Sequence, residues 1–357
     1  MTDGLEPVPV KPRSKRSWFA GIISVSLILT LVGGGILIAS SNVQEFLSRF
    51  QIEDYEGEPG PTTVLLINPG DSGEDVARKM VAADIIQSFD AIYRDMLNVD
   101  LVLFPGSYEF PTLLSGSAAL SLLMSGDNRL LVTTTVPEGL SVAQILPRLA
   151  EELGLTIGEL EKGIDSQLTR LPEAAPSIEG YLFPATYSFD PEPDAELVIK
   201  TMVDRMEQEL RNYEIPLADS LSTLTLASMV ASEGRYPADL FKISRVFMNR
   251  LDIGMALQSD PTVKYRYEGS LDSFQEGLKD KESLFNTFSH PGLPVGPITN
   301  PGALAIEAAL RPAAGDWLYF VAINLDTGET VFSETLREHE IAADIYRQWL
   351  RNSPDYD

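Results

Sequence analysis

The sequence predicts an α+β protein: one N-terminal transmembrane helix, then a small α+β unit, then a larger mixed α+β domain. Three observations predict it. Residues 18–40 form a 23-residue stretch of apolar and small side chains without a charge, and about 20 such residues cross a bilayer core as a helix. Beyond residue 62, short β-branched runs alternate with segments whose apolar residues recur every three or four positions. There is no cysteine, so disulfides and zinc–thiolate clusters do not substitute for a packed core.

The span comes first. In lipid only a helix satisfies its own backbone, and Gly33, Gly34 and Gly35 are tolerated there. Lys11, Arg13, Lys15 and Arg16 precede the stretch, whereas Glu45, Glu53, Asp54, Glu56 and Glu58 follow it, with Arg49 as the early exception. Basic flanks stay in the cytoplasm. Residues 1–17 are therefore expected as a disordered cytoplasmic tail, 18–40 as the span, and everything after about Ser41 outside. A cleaved signal peptide is the alternative, but its apolar region runs about 7–15 residues. A buried core helix would show a polar face, and none is present. Residues 41–61 read as a polar linker.

In the unit that follows, Val64, Leu65 and Ile67 mark a strand. Asp71 or Ser72 caps a helix carrying Val76 and Met80. A second helix over 89–97, a strand-like run over 103–110 and a helix from Ser115 complete the unit. Residues 130–136 are rich in β-branched side chains and read as a strand. Ser141 opens a helix with Ile145, Leu146, Leu149 and Leu153 on one face, and 154–176 hold a second helical stretch and a loop. A broadly apolar helix runs from about Ala218 to Glu233, where Gly234 ends it. Pro237 suits the first turn of the next helix, whose apolar face is Leu240, Ile243, Phe247 and Leu251. Residues 286–302 contain four prolines and three glycines and read as a rigid, extended loop. A helix over 303–310, strands over 317–323 and 330–333, and a final helix over 337–351 follow.

Composition narrows the chemistry. The net charge of −25 argues against a nucleic-acid partner, whose phosphates need a basic face; a solvated acidic surface accounts for it. The two histidines, His290 and His339, lack the close spacing of a zinc motif, and no G-x-S-x-G turn supports a serine triad. Carboxylate acid–base chemistry is the leading option. Among 52 acidic residues, Glu233 stands out because it prolongs the apolar line of Leu226 and Met229 at a helix C-terminus. Partial burial and the negative end of the helix dipole both raise its pKa, toward an acid that stays protonated and donates. An ordinary Glu at a frayed helix end is the plainer reading.

Several motifs carry a resemblance. They are EGYLFPATY (Glu179–Tyr187), LASMVASEGR (Leu226–Arg235), VFMNRLDIGMALQSDPTVKY (Val246–Tyr265), NTFSHPGLPVGPITNPG (286–302), YFVA from Tyr319 and FSETLREH (Phe332–His339). In this order they resemble the MltG-type, YceG-like endolytic murein transglycosylases. PGSYEF and VPEGLS extend the resemblance more weakly over 62–153. The resemblance implies a LysM-like subdomain over 62–129 and a transglycosylase catalytic domain over 130–353, in a single-pass protein of the bacterial plasma membrane.

It also implies an activity. Such enzymes cut peptidoglycan glycan strands internally, between N-acetylmuramic acid and N-acetylglucosamine, and leave a 1,6-anhydro end. One Glu serves as acid and then as base, so the second carboxylate of ordinary glycosidases is not required. Glu233 matches it. The family often has another acid two positions earlier, where this chain has Ala231, and Ala185 and Val295 are further departures. Gln258, Ser259, Asp260 and Thr262 in LQSDPT, with Asn249 and Asn286, are candidates for sugar hydroxyls and N-acetyl amides; loop capping is the alternative. Tyr187, with Tyr181 and Phe183, offers rings for stacking or for the core. Asn300-Pro301-Gly302 reads as a structural turn, and His339 as a residue orienting its neighbours. No cofactor or metal is implied. A role as terminase of glycan elongation beside the cell-wall synthesis machinery is a family expectation. A water-using muramidase and a non-catalytic wall-binding protein are the rivals.

Overall fold

A computed structural model describes Val8–Pro9 and residues 52–267 and 271–353. The expected span over 18–40, most of the tail and the first part of the linker lie outside the described residues. No helix among the described residues is long and apolar enough to cross a membrane. The chain divides into two compact units between Leu131 and Val132, and together they form a mixed α+β protein with small sheets.

The first unit contains β1 (Val8–Pro9), β2 (Thr62–Ile67), α1 (Gly73–Ala82), α2 (Phe89–Met96), β3 (Val102–Leu103), β4 (Gly106–Pro111) and α3 (Gly116–Ser125). β2 and β4 pair antiparallel from Thr62↔Pro111 to Ile67↔Gly106, and β1 pairs with β3. Side chains alternate across a strand, so Leu65, Ile67, Tyr108 and Phe110 enter the core while Val64 and Leu66 stay exposed. Val76, Met80, Ile92, Leu120 and Leu123 close that core from the helices. Ser72 caps α1 in a capping box with Asp75. The last stretch before β2 is docked rather than free: both Asp54 carboxylate oxygens accept from Gly116 N at the start of α3, and Gly60 N donates to Thr112 O.

The second unit contains β5 (Val132–Thr135), α4 (Val142–Leu153), α5 (Ile157–Gln167), β6 (Thr186–Phe189), α6 (Ala195–Arg211), α7 (Leu221–Glu233), α8 (Pro237–Asp252), α9 (Asp260–Lys264), α10 (Leu271–Lys279), α11 (Ala303–Leu310), β7 (Tyr319–Asn324), β8 (Glu329–Ser333) and α12 (Leu336–Arg351). β6, α6, α9 and α10 are additional to the elements read from the sequence. β6 pairs with β5, and β7 with β8, both antiparallel. α6 is capped by Asp194 and buries Val198, Ile199, Met202, Val203, Met206 and Leu210, a helical spacing that encodes it plainly.

α7 is the central element. Every residue from Leu224 to Val230 is buried, as expected for a helix covered on all sides. α8 and α11 pack against it, and small side chains at Ala227, Ala305, Ala308 and Ala309 let the backbones approach. The proline-rich loop is stapled along it: Ile298 N donates to Ser228 Oγ at 3.1 Å, and Thr299 Oγ1 to Ser228 O at 3.1 Å. The last turn of α7 is therefore fixed by its neighbours, and that turn carries Glu233.

Candidate active site

Glu233 closes α7, and the chain turns sharply at once. Gly234 lies in extended backbone, with its N–H on Val230 O. A Cβ at that position would stand 2.1 Å from Leu240 Cδ2, so a larger residue there would force the Leu240 side chain to move. Pro237 occupies the first turn of α8, where its missing N–H costs nothing. Beyond the turn, Arg235 and the Tyr236 hydroxyl donate to Leu325 O and Thr327 O of the β7–β8 hairpin.

The Glu233 carboxyl receives one hydrogen bond among the described residues, from Ser259 Oγ to Oε1 at 2.7 Å. Its Oε2 accepts no hydrogen bond among the described residues, and the residue as a whole is half-buried. Burial of the group raises its pKa above the usual carboxylate range; Asp260 adds to this, whereas the Ser259 hydrogen bond, Lys264 and Arg250 oppose it. The C-terminal end of the helix dipole acts in the same direction as burial. The result is an acid that holds its proton more tightly than a surface Glu.

Ser259 precedes α9 and is itself buried, as are Thr262 and Thr287. Gln258 N donates to Thr287 O, and Ser259 N donates to Thr287 Oγ1 at 3.0 Å. Gln258 sits at φ 50°, a left-handed conformation uncommon for a non-glycine residue. Such strain persists where neighbours over-determine it, and Thr287 supplies both anchors here. The Gln258 and Asp260 side chains are exposed, and Asp260 is near enough to act on the Glu233 carboxyl.

Arg250 is a buried cation that the sequence did not single out. Its Nε donates to Leu318 O at 2.7 Å and its Nη1 to Leu257 O at 2.5 Å. Its guanidinium lies 5.4 Å from the Tyr319 ring centroid, and the opposing stack is Tyr319 on His339 at 5.3 Å. The YFVA and REH motifs therefore converge on one arginine, whose charge favours the ionised form of Glu233. Burial lowers the pKa of Arg250 and of His339, which suits a supporting stack rather than a proton carrier at His339.

The other sequence candidates separate clearly. Glu233, Ser259, Thr262 and Asp260 come together, and Gln258 adjoins them through its backbone. Asn249 instead donates to Gly315 O and Trp317 O, tying α8 to the approach of β7. Asn286 is buried, with Nδ2 on Gly277 O and Asp280 O and Oδ1 accepting from Phe288 N. Tyr187 lies in the core, its hydroxyl on Phe183 O. Tyr181 and Phe183 are core residues too. Among the described residues no group of three His, Asp or Glu side chains gathers to hold a metal.

A second buried acid went unmarked in the sequence. Glu179, in EGYLFPATY, accepts from Val142 N at the start of α4 with both oxygens at 3.1 Å and from Asn300 Nδ2 at 2.8 Å. The Tyr265 hydroxyl also reaches it. Asn300 Oδ1 accepts from Leu182 N, and its Nδ2 donates to Leu140 O. Burial pushes Glu179 up to about 8, against the pull of these donors. Gly180 follows at φ 88°, and a Cβ there would meet Pro297 at 2.5 Å. The cluster locks four motif segments together.

A family model described as the YceG-like family matches residues 65–344. An endolytic murein transglycosylase of Bacillus subtilis is 30% identical over 338 residues, covering 88% of this chain and 91% of the relative. An endolytic murein transglycosylase of Streptococcus pneumoniae is 28% identical over 302 residues; the match takes in 73% of this chain but only 53% of that longer relative. A crystal structure of a yceG-like protein from Listeria monocytogenes superposes with a TM-score of 0.50 at 27% identity, covering 79% of this chain and 99% of that one.

Proposed function

The chain belongs to the YceG-like family, and we propose that it is an endolytic murein transglycosylase in which Glu233 is the single acid–base group. Its substrate is the glycan strand of peptidoglycan, cut between N-acetylmuramic acid and N-acetylglucosamine. The observation that carries the assignment is the Glu233 carboxyl, desolvated enough to hold a proton yet with Oε2 free of any protein partner among the described residues.

The chemistry balances without water. Glu233 gives its proton to the glycosidic oxygen as the bond to the muramyl anomeric carbon breaks. The muramyl C6 hydroxyl then attacks that carbon from within the same sugar. Its proton returns to Glu233, and the new C1–O6 bond closes the 1,6-anhydro ring. The enzyme ends in its starting state. Positive charge on the sugar in the transition state faces a carboxylate just formed, and Ser259 and Arg250 support that carboxylate. The exposed Gln258 and Asp260 side chains are the proposed contacts for sugar hydroxyls and amides.

Replacing Glu233 by Gln keeps the shape and removes the transferable proton. Mass spectrometry of products from uncrosslinked strands should show fragments lighter by one water than hydrolytic products, and none with E233Q. A muramidase would give the heavier, hydrated ends. A wall-binding protein without activity would give no fragments.

The membrane setting belongs to the same proposal. The charge-free stretch over 18–40 spans the plasma membrane once, with residues 1–17 in the cytoplasm and both folded units outside. In that topology the β1–β3 pair opens, because its strands fall on opposite sides of the bilayer. The docking of Asp54 on α3 leaves only part of the linker as tether. Such a leash supports a terminase role on nascent strands, next to the synthesis machinery. An anchor-free protein that cleaves in solution but fails to complement in cells is the expected outcome.

A further inference from the structure

We propose that Ser259 is a positioning residue that fixes which oxygen of Glu233 carries the proton: its hydroxyl donates to Oε1 and leaves Oε2 as the acid. The inference rests on the assignment of Glu233 as general acid. It replaces the expectation that Ser259 binds sugar.

The direction of the hydrogen bond follows from counting donors. Ser259 is 2% exposed, so its hydroxyl proton needs an acceptor, and a buried hydroxyl without one is costly. Oε1 at 2.7 Å is the acceptor it has among the described residues. Were the Glu233 proton on Oε1, it would compete for the same short contact. Placed on Oε2, it leaves Oε1 free to accept from Ser259. A carboxylic acid donates from its hydroxyl oxygen, so the reacting proton sits on the oxygen that Ser259 leaves free before substrate arrives.

Ser259 is held by a closed circuit. Thr262 Oγ1 donates to Ser259 O at 2.6 Å. A threonine hydroxyl has one proton, so the 2.9 Å contact between Thr262 Oγ1 and Thr287 Oγ1 must use the proton of Thr287. Thr287 Oγ1 in turn accepts from Ser259 N at 3.0 Å. Two buried threonines thus pin the Ser259 backbone at its N–H and at its carbonyl. Once Glu233 has given up its proton, the same Ser259 contact becomes charge-assisted and stronger. It stabilises the state formed in the transition state more than the ground state, as a rate-enhancing interaction must.

The test is the pH dependence of cleavage by the full chain in detergent micelles, with defined uncrosslinked glycan strands. S259A should lower kcat by about tenfold, the loss expected for one hydrogen bond to a charged group, with KM changed less than about twofold. The alkaline limb of the kcat profile should move to higher pH, because the donor that favours the carboxylate is gone. S259T, which retains the hydroxyl, should restore both values. T287V, which breaks the circuit but keeps the Ser259 hydroxyl, should give an intermediate loss. A raised KM with an unmoved pH profile would identify a sugar contact and overturn the proposal. So would S259A kinetics equal to wild type. E233Q is run in parallel: if E233Q stays fully active, the assignment of the acid itself fails, and this proposal with it.

Discussion

Glu179 and Glu233 are two desolvated acids in the same unit, and they differ in what their surroundings leave free. Glu179 is 3% exposed and surrounded by donors from Val142, Asn300 and Tyr265. Both of its oxygens are occupied. Among the described residues Glu233 has one hydrogen-bond partner, on Oε1, and Oε2 has none. Burial raises both pKa values, so a raised pKa alone does not separate them. The free oxygen does. A carboxyl saturated by its own protein is a bracket between segments; a carboxyl held at one end is available to a substrate.

The comparison breaks first at Glu233. E233Q should bring glycan cleavage below detection, a loss of at least about 10⁴-fold, while the melting temperature stays near that of wild type. Glu179→Ala should do the reverse. It strands Val142 N and one of the two Asn300 Nδ2 protons without an acceptor, a loss of about 3 kcal/mol, and Tm should fall by on the order of 10 °C. Cleavage by the fraction that remains folded should be close to normal. Glu179→Gln sharpens the contrast through pH. The native carboxyl keeps its proton up to about 8, whereas the unfolded one loses it near 4.5. The native state therefore binds more protons between those values, and stability falls as pH rises through that window. E179Q should flatten this part of the fall, read as urea midpoints at pH 5 and pH 9. The smallest effect is at the staple: Ser228→Ala leaves Ile298 N without its acceptor and should cost about 1 kcal/mol, measured by urea unfolding.

Much of this was legible in the sequence because it is local. The steps from Leu226 to Met229 to Glu233 placed the acid on a buried line at a helix end, and Pro237 marked the restart. Ser72 announced its cap. The contacts that distinguish the two acids are not local. Ser259 meets Glu233 across 26 residues, Val142 meets Glu179 across 37, and Asn300 meets it across 121. No periodicity encodes such pairs. For the same reason Asn249 and Asn286 looked available: an Asn that ties loops to helices has the same neighbours in sequence as one that greets a sugar. Arg250 was hidden in another way. It stands in an amphipathic helix among charged residues, and only the stack of Tyr319 and His339 shows that it is buried. The strand β6 was missed although Thr186 and Tyr187 favour extended backbone, because its partner β5 lies more than fifty residues upstream.

The most direct test is one digest of uncrosslinked glycan strands by three proteins, with products weighed by mass spectrometry: wild type, E233Q and E179Q. The account predicts internal fragments with anhydro ends from wild type and from E179Q, and none from a folded E233Q. Anhydro-ended fragments from E233Q, or their loss in a folded E179Q alone, would contradict it.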